Sequence, residues 1–556
     1  MSLELAMQTA HGNLHLEIQT TRKSPVGLLR TSFRDNGKMC HTQHGRITGC
    51  SLEQLKLLQL AFRERVVPVD DPQAFQIRNS REVGASHAIL AVAKQLGLPR
   101  ILYSRAEPWV SSALAMIVGR LVYAGSKLAL CNHHPNTCLW ELCGIDDTPE
   151  VEAHCYQPMD RLLQRQQAIQ KALAERHLRN GQVILYDITS VYFEGDYKDS
   201  ELVAFGYNRD GKKSREQVVV GLICNAEGCP VGVEVYAGNT KDETTVVDKV
   251  HEIKRCYGIE KIIFVGDRGM VTRSTIDALN DEKDVQTIGA LTHGEMMTLL
   301  KNKVISLDLF DERNIHEVSD PEDPTRRYCL CRNPQTAVRE SQRRQRLLDL
   351  TTKALAEIAA YKRATTVEKL GARVGKVLAK YKMGKFIQWA IEADPQRQTS
   401  GQHRLLWSID AEKLEHEKRF DGCYVITSDV DQEQMQTLDV VRAYKRLAFV
   451  ERAFRNLKTV QLEIRPVYHK TDERIRSHVF LCMLAYYLQW HMEQRLAPLF
   501  ANDGQGEDRR WTFRGVIDCL AQITRNSVAV NGAEFDQNST PTPEQEQILD
   551  LLQVTL

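Results

Sequence analysis

Two aspartates sit where a chain rarely leaves a charge without a use for it. Asp187 interrupts VILYDITSVYF (183–193), a run of β-branched and aromatic residues that reads as a strand. Asp267 closes a second apolar run, KIIFVGD (261–267), and is followed by Arg268 and Gly269. A carboxylate in such a setting is costly unless it is solvated, paired or bound to a metal. Either aspartate alone reads more readily as a strand terminator or a salt-bridge partner; two together strengthen the case for catalytic duty without identifying a third acid. A third acid, Glu451, lies in AYKRLAFVERAFRNLKTV. On an ideal helix Glu451, Arg455 and Lys458 fall within about 60° of one another, and Leu447, Val450, Phe454 and Leu457 occupy the adjoining apolar sector. The result is a rigid carboxylate beside two cations, which periodicity alone assigns to a surface salt bridge.

A second group of chemically able side chains, Cys131, His133, His134, Cys138 and Cys143, fits no zinc-finger spacing and is read as ordinary thiols and loop histidines. The fourteen cysteines are scattered through 556 residues without a secreted framework, so they read as reduced cytosolic thiols. The first twenty residues lack the basic and apolar regions of a secretory signal, and LVYAGSKLAL (121–130) is far too short to span a bilayer. Net charge is only +1, so any nucleic-acid surface must come from local clustering. One such cluster exists: Arg339 to Lys385 holds thirteen Lys or Arg against four Asp or Glu, a net of +9. A surface of that kind attracts phosphates, and we favour DNA contact over a merely solvated helical face.

The elements that must position these residues follow from periodicity. Residues 1–50 read as a small, partly stranded module and 51–178 as mainly helical, with LEQLKLLQLAFRERV and SHAILAVAKQLG as its clearest helices. From 179 to 299 the order is β-β-β-α-β-α-β, a mixed five-stranded sheet with one acid inside the first strand and another at the end of the fourth. The Gly-rich phosphate fingerprint of an all-parallel dinucleotide fold is absent near the first strand. Residues 300–430 interrupt this core with strands around 327–332 and 405–409 flanking the basic helical stretch. The core resumes over 431–500 with YVITSD just ahead of it, one helix from Val441 to about Val460, and the apolar helix HVFLCMLAYYLQW. Beyond Ala501 the composition turns polar, and DQNSTPTPEQEQ reads as a tail without fixed structure until the last apolar run.

In their order along the chain, LYDITSVYFEG, IIFVGDRGM, YKRLAFVERAFRNLK and LEIRPVYHKTDERIRSHVFLCMLAYYL resemble DDE transposases of the IS4 superfamily, most closely its IS1634-like branch. LLRTSFRDNGK and ALAMIVGRLVYAGSKLAL upstream are similar too, so the resemblance runs through most of 25–490. It implies an RNase H-like catalytic core of α/β class, interrupted by a β-rich, here α+β, insertion, with a mainly helical N-terminal DNA-binding region. It assigns the three catalytic, metal-binding carboxylates to Asp187, Asp267 and Glu451, and the family's Tyr, Glu and Lys signature to Tyr444, Glu451 and Lys458. Leu447 occupies the usual arginine position of that signature, with Arg446 and Arg455 nearby.

The chemistry implied is cleavage at transposon terminal repeats followed by strand transfer into target DNA. The cofactor is two Mg2+ ions, with Mn2+ as the substitute. Lys458 then contacts the phosphate backbone, with Arg455 a weaker contact and Arg446 close by. Tyr444 either positions a terminal nucleotide or packs within its helix, and Arg268 either pairs with Asp267 or approaches DNA. The implied partners are transposon-end and target DNA and a second copy of the chain in a synaptic dimer, at the nucleoid of a prokaryotic cytoplasm. A metal-dependent nuclease without strand transfer, and a noncatalytic end-binding repressor, are the rival readings.

Overall fold

The computed structural model describes the chain apart from residues 1–7, 10–11, 21–23, 36–37, 65–74, 209–213, 280–281, 283, 312, 361–365, 394–402, 461, 463, 465–466, 468, 502, 504–509 and 531–532. At the N-terminus, strands β1 (Gln8–Thr9), β2 (Gly12–Gln19), β3 (Val26–Asp35) and β4 (Lys38–Ile47) pair in that order as an antiparallel sheet. Helix α1 (Leu52–Glu64) packs on β2 and buries Leu55 against it.

After β5 (Phe75–Glu82), the chain is helical to residue 177. Helices α2 (Gly84–Gln95), α3 (Pro108–Val122), α4 (Gln157–Gln164) and α5 (Gln166–His177) carry its main apolar surfaces. Twelve of the fifteen residues of α3 are buried, which marks a helix enclosed on every side rather than one lying at a surface. What encloses it includes α12 (Asp472–Arg495), the predicted apolar helix, which also packs on α4 and on the central sheet. Residues more than 300 positions apart therefore share one core, for instance Ser477 donating to the Met159 carbonyl at 2.6 Å.

The central sheet runs β11-β12-β15-β10-β9-β6-β7-β8. The block that comes first along the chain is the expected one: β6 (Val183–Tyr192), β7 (Gln217–Asn225) and β8 (Pro230–Ala237) are antiparallel neighbours, while β9 (Ile262–Gly266) and β10 (Val285–Ala290) lie parallel to β6. Helix α6 (Asp242–Tyr257) connects β8 to β9 and α7 (Arg273–Leu279) connects β9 to β10. The sheet has eight strands, not five. β11 (His316–Asp320), β12 (Asp323–Arg332) and β15 (Cys423–Ser428) extend it beyond β10, all antiparallel. The five-strand count failed because β12 and β15 are separated by 90 residues of other structure; β12 pairs with β15, Leu330 opposite Val425, and β15 joins the core through its ladder with β10.

Between β12 and β15, helices α8 (Pro334–Ala359) and α9 (Val367–Tyr381) pack on the hairpin β13 (Ile387–Ala393) and β14 (His403–Ile409). Leu348, Leu355, Leu370, Val374, Ile387 and Leu405 form a hydrophobic cluster of their own there. A separate cluster is what lets a segment of this size interrupt a sheet without contributing to its core.

The described residues of the C-terminal tail are ordered, contrary to their polar composition. β16 (Thr524–Val530) pairs with both β17 (Ala533–Asn538) and β5, and α13 (Phe513–Leu520) and α14 (Pro543–Leu552) pack on α2. Thr542 and Gln545 form a reciprocal capping box with Pro543 in the first turn, and Ile548, Leu549 and Leu552 are buried. Caps and a single apolar face suffice to hold such a segment once a distant partner covers it.

Candidate active site

Asp187 is half-buried in the middle of β6, and its Oδ1 accepts from the Ile188 amide at 2.7 Å. Tyr186 stands opposite Gly266 in the parallel β6–β9 ladder, so the next residue on each strand is an aspartate. Asp187 and Asp267 thereby follow paired residues at the same level of the ladder, on strands that lie about 4.8 Å from each other. Asp267 begins a tight turn in which its carbonyl accepts from the Met270 amide at 3.0 Å, and Gly269 sits there at φ +87°. That conformation is open to glycine and strained for most other residues. The turn ends the strand where Asp267 becomes exposed.

The two faces of β6 have different neighbours. The Tyr186 hydroxyl lies 3.3 Å from that of Tyr236, on the α6 side. By strand alternation Asp187 points to the other side, where α11 (Leu447–Arg455) packs on β6. Leu447, Val450, Ala453, Phe454 and Leu457 are buried, and Glu451 is exposed. The expected apolar sector therefore seats this helix with its acid outward.

Here the expected single helix differs in two ways. It breaks at Arg446, between α10 (Thr437–Lys445) and α11, and from Asn456 to Val460 it widens into a π turn. The extra residue per turn carries Lys458 off the stripe it would share with Glu451 and Arg455 on a regular helix. Lys458 is buried, at 9% exposure, whereas Arg446, Arg455 and Arg268 are exposed.

Tyr444 connects the groups. Its hydroxyl donates to Asp267 Oδ1 at 3.2 Å. Burial, then the charge of Asp267 and more weakly that of Glu451, push the phenol well above its ordinary range, so it remains a donor. A side chain read from sequence as a nucleotide contact or a packing residue is thus a carboxylate partner. Its spacing from Glu451 was visible; its reach to a residue 177 positions earlier was not.

Of the basic stretch 339–385, Arg344 is half-buried and forms a two-point ion pair with Asp421, one contact being 2.9 Å. Lys385 pairs with Glu417 at 2.5 Å. Arg339, Arg343, Arg346, Lys353, Lys369, Arg373, Lys376, Lys380 and Lys382 are exposed on and around α8 and α9. Lys362 and Arg363 lie outside the described residues.

The thiols and histidines of 131–143 disperse. Cys131 faces Cys155 with 3.7 Å between sulfurs, His133 stacks on Tyr123 with ring centroids 4.8 Å apart, and Cys138 and Cys143 are held by burial as protonated thiols. A different group assembles instead. His177, Cys229 and His491 bring three ligand atoms within 4.8 Å of one another, a set able to hold a metal ion. No motif announces it, since its members are spread over more than 300 residues.

Residues 179–488, more than half the chain and the span from the start of β6 through most of α12, match the transposase DDE domain family. The chain belongs to that family. The match takes in Asp187, Asp267 and Glu451, together with the whole eight-stranded sheet and the segment that interrupts it. Among solved structures the chain matches the Mos1 transposase paired-end complex with left transposon end, at 14% identity over 43% of this chain and 68% of that one, with a TM-score of 0.14. A search of the curated proteins finds no match. For a DDE-domain chain the mixed α/β sheet is the expected core. No helix among the described residues is long and apolar enough to cross a membrane.

Proposed function

We propose that this chain is a transposase of the IS4 superfamily, in its IS1634-like branch, that cuts DNA at transposon terminal inverted repeats and joins the freed ends to target DNA. One observation carries the reading: the β6–β9 register sets Asp187 and Asp267 side by side, on the side of the sheet covered by the helix of Glu451. Three carboxylates are an oxygen-only donor set, which suits a hard cation such as Mg2+, or Mn2+ in its place. Asp187, Asp267 and Glu451 would hold two such ions, which when bound activate water or a 3′-hydroxyl and neutralise charge at the scissile phosphate.

The rest is positioning by the chain itself. The strand ladder fixes the two aspartates, the Tyr444 hydroxyl orients Asp267, and the buried face of α11 holds Glu451 in place. Arg268, Arg446 and Arg455 would take phosphate oxygens, contacts that seat a duplex without reading its sequence. Lys458 reaches phosphate only by turning out of its buried position. The helical region 51–178 would recognise the terminal repeat, helped by the basic helices of the 300–430 insertion, in a synaptic dimer at a prokaryotic nucleoid.

Asp187→Ala tests the assignment. The variant should bind terminal-repeat DNA as the parent does and lose Mg2+-dependent cleavage; cleavage at the parental rate by pure protein would show that Asp187 is not a catalytic carboxylate.

A further inference from the structure

The group His177, Cys229 and His491 lies apart from the three carboxylates. Cys229 stands in the turn joining β7 to β8, at the edge of the sheet where β6 begins, whereas Asp267 stands where β9 ends. Each member is carried by a different, rigid element. His177 is the last residue of α5, whose Ile169, Leu173 and Ala174 are buried. Cys229 is wholly buried in a turn shaped by Asn225, whose Oδ1 accepts from the Glu227 and Cys229 amides at 3.0 and 2.8 Å. His491 lies one helical turn after Tyr487 on α12, its ring edge-on to Tyr487 with centroids 4.6 Å apart.

Ordinary packing does not account for the polar atoms here. His177 Nε2 is 3.0 Å from the Tyr487 hydroxyl, which satisfies one of its two ring nitrogens. His491 Nε2 is buried and has no hydrogen-bond partner among the described residues. A buried ring nitrogen left so is unfavourable, and it belongs to a group whose ligand atoms already lie within 4.8 Å of one another. The Arg495 guanidinium donates to the Leu552 carbonyl, and that of Arg176 is shared between the Leu96 carbonyl and the Tyr487 hydroxyl.

We propose that His177, Cys229 and His491 bind one zinc-class divalent cation, which pins the end of α5 and the β7–β8 turn to α12. Two imidazoles and a thiolate are the donors such an ion prefers, and unlike a carboxylate set they select it over Mg2+. With metal–ligand bonds of about 2.0–2.3 Å, tetrahedral donors stand roughly 3.3–3.6 Å apart, so closure onto the ion needs side-chain shifts of about 1 Å. Binding exchanges the thiol proton of Cys229 for the metal, one proton leaving as the sulfur–metal bond forms. A fourth position is left to water or the Tyr487 hydroxyl. The cation is structural: it joins the helices before and after the DDE sheet and does not rest on the catalytic proposal.

Co2+ as a stand-in for zinc tests this on the full-length protein after chelator treatment. One equivalent should produce a thiolate-to-cobalt charge-transfer band with the visible bands of a tetrahedral ion, and Zn2+ should abolish both. Cys229→Ser should lose the charge-transfer band and Asp187→Ala should keep it. Should the serine variant not fold, zinc-edge X-ray absorption on the parent protein decides, with one sulfur and two imidazoles expected. Absence of the band, an undiminished band in folded Cys229→Ser, or a zinc shell without sulfur overturns the proposal.

Discussion

Removing one oxygen atom, in Tyr444→Phe, isolates the contribution of carboxylate positioning. The ring is half-buried and the substitution keeps its packing, so the change removes only the 3.2 Å bond from the hydroxyl to Asp267 Oδ1. A hydrogen bond to a charged group contributes on the order of 1.5–3 kcal/mol, which is roughly a 10- to 150-fold change in an equilibrium constant. Groups that orient a metal-binding carboxylate from outside typically alter metal affinity by about 10- to 100-fold, so the two lines of reasoning agree. The assay is the initial rate of nicking of terminal-repeat DNA as Mg2+ is varied, with circular dichroism to confirm the fold. The midpoint should rise by about 10- to 100-fold, while the rate at saturating Mg2+ stays close to the parent's. An unmoved midpoint would refute the idea that Tyr444 orients a metal-binding Asp267. A lost rate that no Mg2+ concentration restores would mean that Tyr444 acts on the DNA instead.

Other consequences follow from the same geometry. Arg373, Lys376 and Lys380 are exposed on α9 at spacings of three and four, and so share a face. Changing all three to Gln should flatten the slope of log binding constant against log salt by up to about 0.9 for each phosphate that is no longer neutralised; an unchanged slope would return this helix to a solvated role. Stability should fall as the solution is made acidic. His478 is buried with its Nδ1 3.2 Å from Lys127 Nζ and its Nε2 3.1 Å from the Ile464 carbonyl. Burial, then the charges of Lys127 and Arg120, hold His478 well below 6.5, and burial with the same two cations and Arg474 holds His469 to about 3. Below the ordinary imidazole range the unfolded chain takes up protons that the folded chain refuses, so stability is lost as pH falls. The slope is at most about 1.4 kcal/mol per pH unit for each ring, and denaturant midpoints from about pH 7 down to about pH 5 measure it. A midpoint flat over that window would show that neither ring is held neutral.

The local parts of this fold were legible and the distant pairings were not. Val183–Tyr192 and Ile262–Gly266 announce themselves as strands because β-branched and aromatic residues dominate both, and the sector of Leu447, Val450 and Phe454 reveals the buried face of α11. The register that puts Tyr186 opposite Gly266 is a fact of the ladder and has no local signal. The same holds for β5 finding β16 across more than 400 residues, and for β12 and β15 pairing across the 90 residues between them. Pattern also misjudged the helix around Glu451, because helical periodicity continues through Arg446 and Asn456 while the backbone breaks at one and widens at the other. The Tyr444–Asp267 bond and the group around Cys229 join side chains from separate elements, so neither could be found before those elements were placed.

The central claim is that the three carboxylates serve DNA cleavage and joining within one site. Its most direct measurement is an incubation of the pure protein with paired terminal-repeat ends, a target duplex and Mg2+, with products separated by strand. Covalently joined end–target product, formed by the parent and absent with Asp187→Ala, Asp267→Ala or Glu451→Ala, is the predicted result. Cleaved ends without joined product would contradict it in favour of a nuclease, and joined product from any of the three variants would contradict the shared site.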